Sequence, residues 1–160
     1  MLALDPARRV AMLDDASEML YDLFVGIPKH RVPDVVAASG LTENGWIPVN
    51  RQNLKTRFPG VYALGDVTSV GTAKAGTFSE GAARVVAASL LAELQGGERP
   101  APYEGAGTCY VEFGEGRVAR VDVNFFSGPL PNGTFTEPSL SVTAEKQLFG
   151  SSRRTRWFGL

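Results

Sequence analysis

The sequence predicts a mixed α/β fold, and three stretches carry that expectation. Residues 61–64, Val-Tyr-Ala-Leu, stand between Pro59-Gly60 and Gly65-Asp66. They are too few for a helix and apolar on both faces, as a buried parallel strand is. From Thr77 the apolar residues Phe78, Ala82, Val85, Val86, Leu90 and Leu94 recur at helical spacing until Gly96-Gly97 stops them. Residues 109–113 and 118–126 then read as paired strands across Gly114-Glu115-Gly116.

The remaining elements follow from local chemistry. Val10 and Met12, then Met19, Tyr21, Leu23 and Val25, alternate on either side of Asp14-Asp15-Ala16-Ser17, so they predict two strands joined by a turn and ending at Pro28. Residues 35–38 predict a short helix between Pro33 and Gly40, and residues 46–49 a brief strand. Thr77 with Glu80 three positions on has the form of a capping box. Residues 98–102 are a polar, proline-bearing linker, residues 129–138 an irregular loop, and residues 141–158 a helix of mixed apolar and basic character.

Composition bounds the function. Lysine and arginine number 16 against 17 acidic residues, a formal charge of −1, which gives no steering toward nucleic acid. The longest uncharged stretches, such as residues 85–92, fall well short of the roughly 20 apolar residues of a membrane helix. Asp5 and Arg8-Arg9 stand where a signal peptide has its apolar core, so the expectation is a cytoplasmic chain. The single Cys109 closes no internal disulfide, and with the single His30 it builds no zinc site of the usual kind, so no metal is expected.

The strongest chemical signal is residues 56–66, TRFPGVYALGD. A glycine at a strand's carboxyl end admits close backbone approach, and an aspartate beside it can accept hydrogen bonds from sugar-like hydroxyls. This stretch resembles the second flavin motif of the pyridine nucleotide-disulfide oxidoreductase superfamily. The resemblance implies that Asp66 holds the ribityl hydroxyls of FAD while Gly65 and Val67 offer their backbone. Lys74-Ala75-Gly76, leading into a helix that bears Phe78 and Glu80, is similar to what sulfide:quinone reductases and flavocytochrome c sulfide dehydrogenases carry next. By that likeness Lys74, Ala75 and Gly76 meet the isoalloxazine at a helix N-terminus, which favours negative charge.

Cys109 lies in GTCYVEFGEG. Taken alone, a single cysteine is usually a small buried hydrophobe. In the resembled families a cysteine here is one of a redox pair above the flavin, its partner coming from the first half of the polypeptide. Residues 114–119, GEGRVA, match a dinucleotide fingerprint in form only, because Val121, Val123 and Phe125 alternate as a strand where the fingerprint needs a helix. The terminal SSRRTRWFGL suits either a segment lying on a membrane surface or a solvated helix end packed on the core. His30 and Asp14-Asp15 are expected to be loop residues without chemistry.

The resemblance implies the C-terminal half of an FAD-dependent oxidoreductase. Residues 1–30 correspond to strands returning from a nicotinamide-type domain, residues 31–97 to the distal FAD domain, and residues 98–160 to a smaller α+β interface domain. It implies electrons passing from sulfide or a related reductant through cysteine and flavin to a quinone or cytochrome. The alternatives are a portion of an NADH:quinone-type or unassigned flavoreductase in which Cys109 is incidental, and a non-catalytic module pairing with a separate N-terminal half. The isolated chain is expected to hold FAD weakly or not at all, to be inactive alone, to pair with a missing N-terminal half or form a homodimer, and to touch membranes peripherally through its Arg/Trp/Phe end.

Overall fold

In the computed structural model, which describes residues 3–98 and 100–160, the chain divides into two units, Met1–His30 and Arg31–Leu160. The fold is mixed α/β, with two three-stranded antiparallel sheets and helices. In the first unit β1 (Ala3–Asp5), β2 (Val10–Met12) and β3 (Glu18–Leu20) pair in sequence order. Aspartate side chains make both turns. Asp5 Oδ1 accepts from the amides of Ala7 and Arg8 at 3.1 and 3.0 Å, and Asp15 Oδ1 from the hydroxyl and amide of Ser17 at 2.6 and 3.0 Å. Those bonds hold the Asp15 carboxyl below its ordinary range. The expected second strand stops at Leu20 instead of reaching Val25. β3 is an edge of this sheet, and Asp22, Gly26 and Pro28 discourage further ladder pairing.

The second unit opens with α1 (Asp34–Ala37), one turn long, with Pro33 at its N-cap. The brief strand expected at residues 46–49 is reduced to isolated bridges, Trp46 with Glu43 and Ile47 with Thr68. The buried parallel strand expected at residues 61–64 is also absent. Lys55 bridges Tyr62 in the antiparallel sense, and the Ala63 amide donates to Leu54 O at 3.2 Å. The apolar run is satisfied by packing: Tyr62 and Leu64 lie against a core of Leu54, Val70, Ala82, Val86 and Tyr103. A short apolar stretch records burial, and only the neighbouring backbone decides whether burial comes with a ladder.

The long helix α2 (Gly76–Gln95) buries Phe78, Ala82, Val86 and Ser89. Its C-terminus is the one expected, with Gly96 in the left-handed region at φ +74° and the Gly97 amide on Ala92 O. Its stripe is shorter than the periodicity suggests, since Leu90 and Leu94 are exposed. The capping box does not form. Ala75 is the N-cap and caps with no side chain, Thr77 Oγ1 instead accepts from the Thr108 amide at 3.3 Å, and Glu80 is drawn to arginines.

Of the expected linker, Arg99 lies outside the described residues. Tyr103 then enters the core, its hydroxyl donating to Phe78 O at 3.1 Å, and burial pushes its phenol pKa up. β4 (Ala106–Glu112) and β5 (Val118–Asn124) pair as expected, with Gly114 and Gly116 at positive φ in the turn. β6 (Asn132–Ser139) occupies residues expected to be an irregular loop. That strand is an edge with mostly exposed side chains, so no apolar alternation marks it. Its Pro138 is tolerated next to the strand's end on an edge. Helix α3 (Leu140–Phe158) starts where Ser139 Oγ accepts from the Val142 amide. It packs on the second sheet through buried Val142, the Tyr110–Phe149 ring pair at 5.3 Å and the Arg120–Glu145 ion pair.

Candidate functional site

The Gly-Asp turn is built by its surroundings. Leu64 arrives extended, Gly65 turns at φ +75°, and Gly65–Val67 forms a single 3-10 turn closed by the Thr68 amide on Gly65 O at 3.1 Å. The Thr68 hydroxyl donates to the same oxygen at 2.8 Å, and Thr68 is buried. The left-handed backbone favours glycine, and so does space, because a Cβ at Gly65 would meet Ser79 Oγ of α2 at 3.3 Å. The turn therefore rides against the first turn of that helix.

Two further segments hold it. The Ile47 amide donates to Val67 O at 2.9 Å and the Ser69 amide to Ile47 O at 3.1 Å. Lys74 folds back so that Nζ donates to Asp66 O at 2.6 Å and Thr68 O at 3.1 Å, and lies 3.6 Å from the Trp46 ring centroid. Partial burial lowers the Lys74 pKa, with the Asp66 carboxylate opposing the shift. Asp66 itself is exposed, and Lys74 binds its backbone carbonyl. Ala75 and Gly76 follow as N-cap and first residue of α2; the Ala75 amide donates to Ala73 O and the Phe78 amide to Ala75 O, each at 3.1 Å, and the Gly76 and Thr77 amides have no partner within the helix. A Cβ on Gly76 would meet nothing within 4 Å.

Behind the turn, Gly65, Thr68, Lys74, Phe78 and Tyr103 enclose about 10 Å³, room for about one water and far below any cofactor. A separate open groove of about 510 Å³ runs along α2 past Leu64, Gly76, Ser79 and Ala83 to Trp157.

Cys109 is exposed on β4 opposite Val121. It shares a face with Gly107, two residues earlier. A Cβ at Gly107 would come within 2.6 Å of the Phe78 ring and 2.9 Å of Thr77 Cγ2. The structure thus brings Gly65, Asp66, Val67, Lys74, Ala75 and Gly76 into one constellation, and joins the strand of Cys109 to it through Thr77 and Phe78. His30 is exposed outside any helix or strand.

Sequence reasoning missed Trp46, Ile47, Gly107 and the role of Glu80. A glycine inside a strand is a signal of close backbone approach and could have flagged Gly107; nothing local flags Trp46 as the partner of Lys74. Glu80 accepts from Arg84 (2.7 Å), Arg153 (2.7 Å) and Arg156 (3.0 Å). Burial raises the Glu80 pKa, but hydrogen bonds and attraction from Arg84 and Arg153 outweigh it and hold the carboxyl below its ordinary range. Arg153 also stacks on Phe149 at 3.4 Å. Trp157 and Phe158 remain exposed. Among the described residues no helix is long and apolar enough to cross a membrane, and no three His, Cys, Asp or Glu side chains gather as metal ligands.

The fold and site define a mixed α/β domain with a Gly-Asp turn abutting the start of a long helix. The chain is similar to the mitochondrial sulfide:quinone oxidoreductase of Schizosaccharomyces pombe, 27% identical over 142 residues that cover 86% of this chain and 31% of that protein. It therefore spans about a third of that relative's length. No family model matches it. Among solved structures, a chain in the cryo-EM structure of the Tetrahymena thermophila mitochondrial ATP synthase F1Fo composite tetramer aligns with a TM-score of 0.58. That alignment has 21% identity and covers 78% of this chain and 32% of the other, a likeness of fold alone.

Proposed function

We propose that the chain is part of an FAD-dependent oxidoreductase related to sulfide:quinone oxidoreductase, and that it supplies the ribityl-facing turn of the flavin site. One observation carries this reading. Asp66 is exposed on a 3-10 turn held by Ile47 and Lys74, and that turn sits against a helix start whose first residue, Gly76, has open space beside it. The likeness to a sulfide:quinone oxidoreductase over 86% of the chain supports it.

The residues fit the group they are asked to hold. FAD, when bound, supplies the two-electron chemistry that an oxidoreductase needs. Asp66 accepts hydrogen bonds from sugar-like hydroxyls, Gly65 and Val67 offer backbone at close range, and the leading N–H groups of α2 at Gly76 and Thr77 favour negative charge. Cys109 is this chain's thiol for the sulfide side, and it is exposed. Its partner cysteine and the groups that bind the ADP portion come from elsewhere, as does the quinone or cytochrome that takes the electrons. The exposed Leu90, Leu91 and Leu94 of α2 offer an apolar surface to an N-terminal half or to a second copy, and Trp157 and Phe158 offer one to a membrane surface.

Equilibrium dialysis of the chain and of Asp66→Ala against FAD tests the reading. The wild-type chain should bind weakly, because few contacts offset the cost of immobilising the ligand. Loss of the carboxylate should weaken binding by about tenfold, the loss expected for an unmatched hydroxyl donor. Equal affinity in the two proteins contradicts the role of Asp66.

A further inference from the structure

The ammonium of Lys74 has its directions filled from within the chain. Two of its protons go to the carbonyls of Asp66, within the Gly-Asp turn, and Thr68, at its end, at 2.6 and 3.1 Å. The face of Trp46 covers it at 3.6 Å, close enough for a strong cation–π contact in a partly desolvated place. Trp46 is fixed in turn. Its amide donates to Glu43 O at 3.1 Å, the Glu43 amide donates to Trp46 O at 2.7 Å, and the next residue, Ile47, donates to Val67 O of the turn and accepts from the Ser69 amide just beyond it. The segment before the turn and the segment after it therefore meet at one cation.

We propose that Trp46 and Lys74 form a brace that sets the backbone of Gly65–Val67, so that Lys74 acts on a bound ligand through Asp66 and Trp46 is a positioning residue of the same site. This rests on the reading of Asp66 as the ligand-contacting residue. The physical reason is that a one-turn 3-10 segment has few hydrogen bonds of its own. Without the ammonium, the Asp66 and Thr68 carbonyls rotate toward water, and the direction of the Asp66 side chain goes with them. A lysine that touched the ligand directly would owe nothing to Trp46.

That difference is measurable without flavin. Amide hydrogen exchange at Thr68 and Ser69, whose N–H groups bond to Gly65 O and Ile47 O, should speed up by about tenfold in both Lys74→Met and Trp46→Leu. Trp46→Phe, which keeps an aromatic face, should stay near wild type. Amides of β5 serve as the fold control, and Lys74→Gln replaces Lys74→Met if the latter fails to fold. The same variants are then dialysed against FAD, where Trp46→Leu should lose affinity with Lys74→Met.

Unchanged exchange at Thr68 and Ser69 overturns the brace. So does faster exchange in Trp46→Leu with FAD affinity equal to wild type, because the ligand then does not read the turn's geometry. Failure of the flavin reading is seen separately: the wild-type chain itself shows no FAD binding, whatever the exchange rates do.

Discussion

From Ala106 to Phe158 most backbone polar groups are paired in ladders and a helix, and α3 packs on the sheet through Val142, Phe149 and an ion pair to Arg120. From Leu41 to Ala75 the chain has no strand longer than a bridge. There the backbone is held by side chains that imitate backbone acceptors, as when Asn50 Oδ1 accepts from Gln52 and Asn53. It also depends on residues at positive φ, among them the buried Leu54 at +59°, and on single donors such as Lys74. A ladder spreads its free energy over many equivalent bonds, whereas the irregular stretch depends on a few, each of which sets the direction of one segment. The candidate site lies in the second kind of structure, which leaves an aspartate free to face a ligand.

The largest break should come at the junction between the two. Phe78 is buried at the start of α2, meets Phe125 edge-on at 5.2 Å, and fills the space left by Gly107. Phe78→Ala should cost about 3–5 kcal/mol, read as a lowered denaturation midpoint with most of the cooperativity retained. A loss below about 1 kcal/mol would mean that the regions are coupled elsewhere.

Next is the clamp that ties α3 to α2. The folded Glu80 carboxyl titrates below its unfolded value of about 4.3, so its contribution to stability is full above that value and disappears as pH falls through the folded pKa. Helical circular dichroism of the wild-type chain should fall in that acid window as the Arg153–Arg156 turn frays. Glu80→Gln should show the frayed signal already at neutral pH, and with it a flatter acid limb. Identical acid profiles in the two proteins would remove the clamp from the account. The smallest effect concerns Cys109, where exposure predicts that alkylation of the folded chain proceeds at a rate close to that of the unfolded chain at the same pH. Reaction only after denaturation would make it a core residue and favour a flavoreductase in which the cysteine is incidental.

The same division explains what could be read beforehand. The Gly96 stop, the Gly114-Glu115-Gly116 turn and the helix from Leu140 are legible because each is written in adjacent residues. β6 is not, since an exposed edge strand needs no apolar alternation, and Thr77-x-x-Glu80 misleads because Thr108, Arg153 and Arg156, distant in sequence, compete for both side chains. At the candidate site Gly65 and Asp66 stand out as a motif. Trp46 and Ile47 lie about twenty residues before it and become part of it only when the loop closes.

The most direct test of the central claim is a residue-resolved NMR titration of the isotope-labelled chain with FAD. The account predicts amide shifts that saturate in the millimolar range, largest at Gly65–Val67 and at Gly76 and Thr77, and that need about tenfold more FAD in Asp66→Ala. Shifts confined to β1–β3 or to the Asn50–Gln52 turn, or no shift at Gly65–Val67 at any FAD concentration, would contradict it.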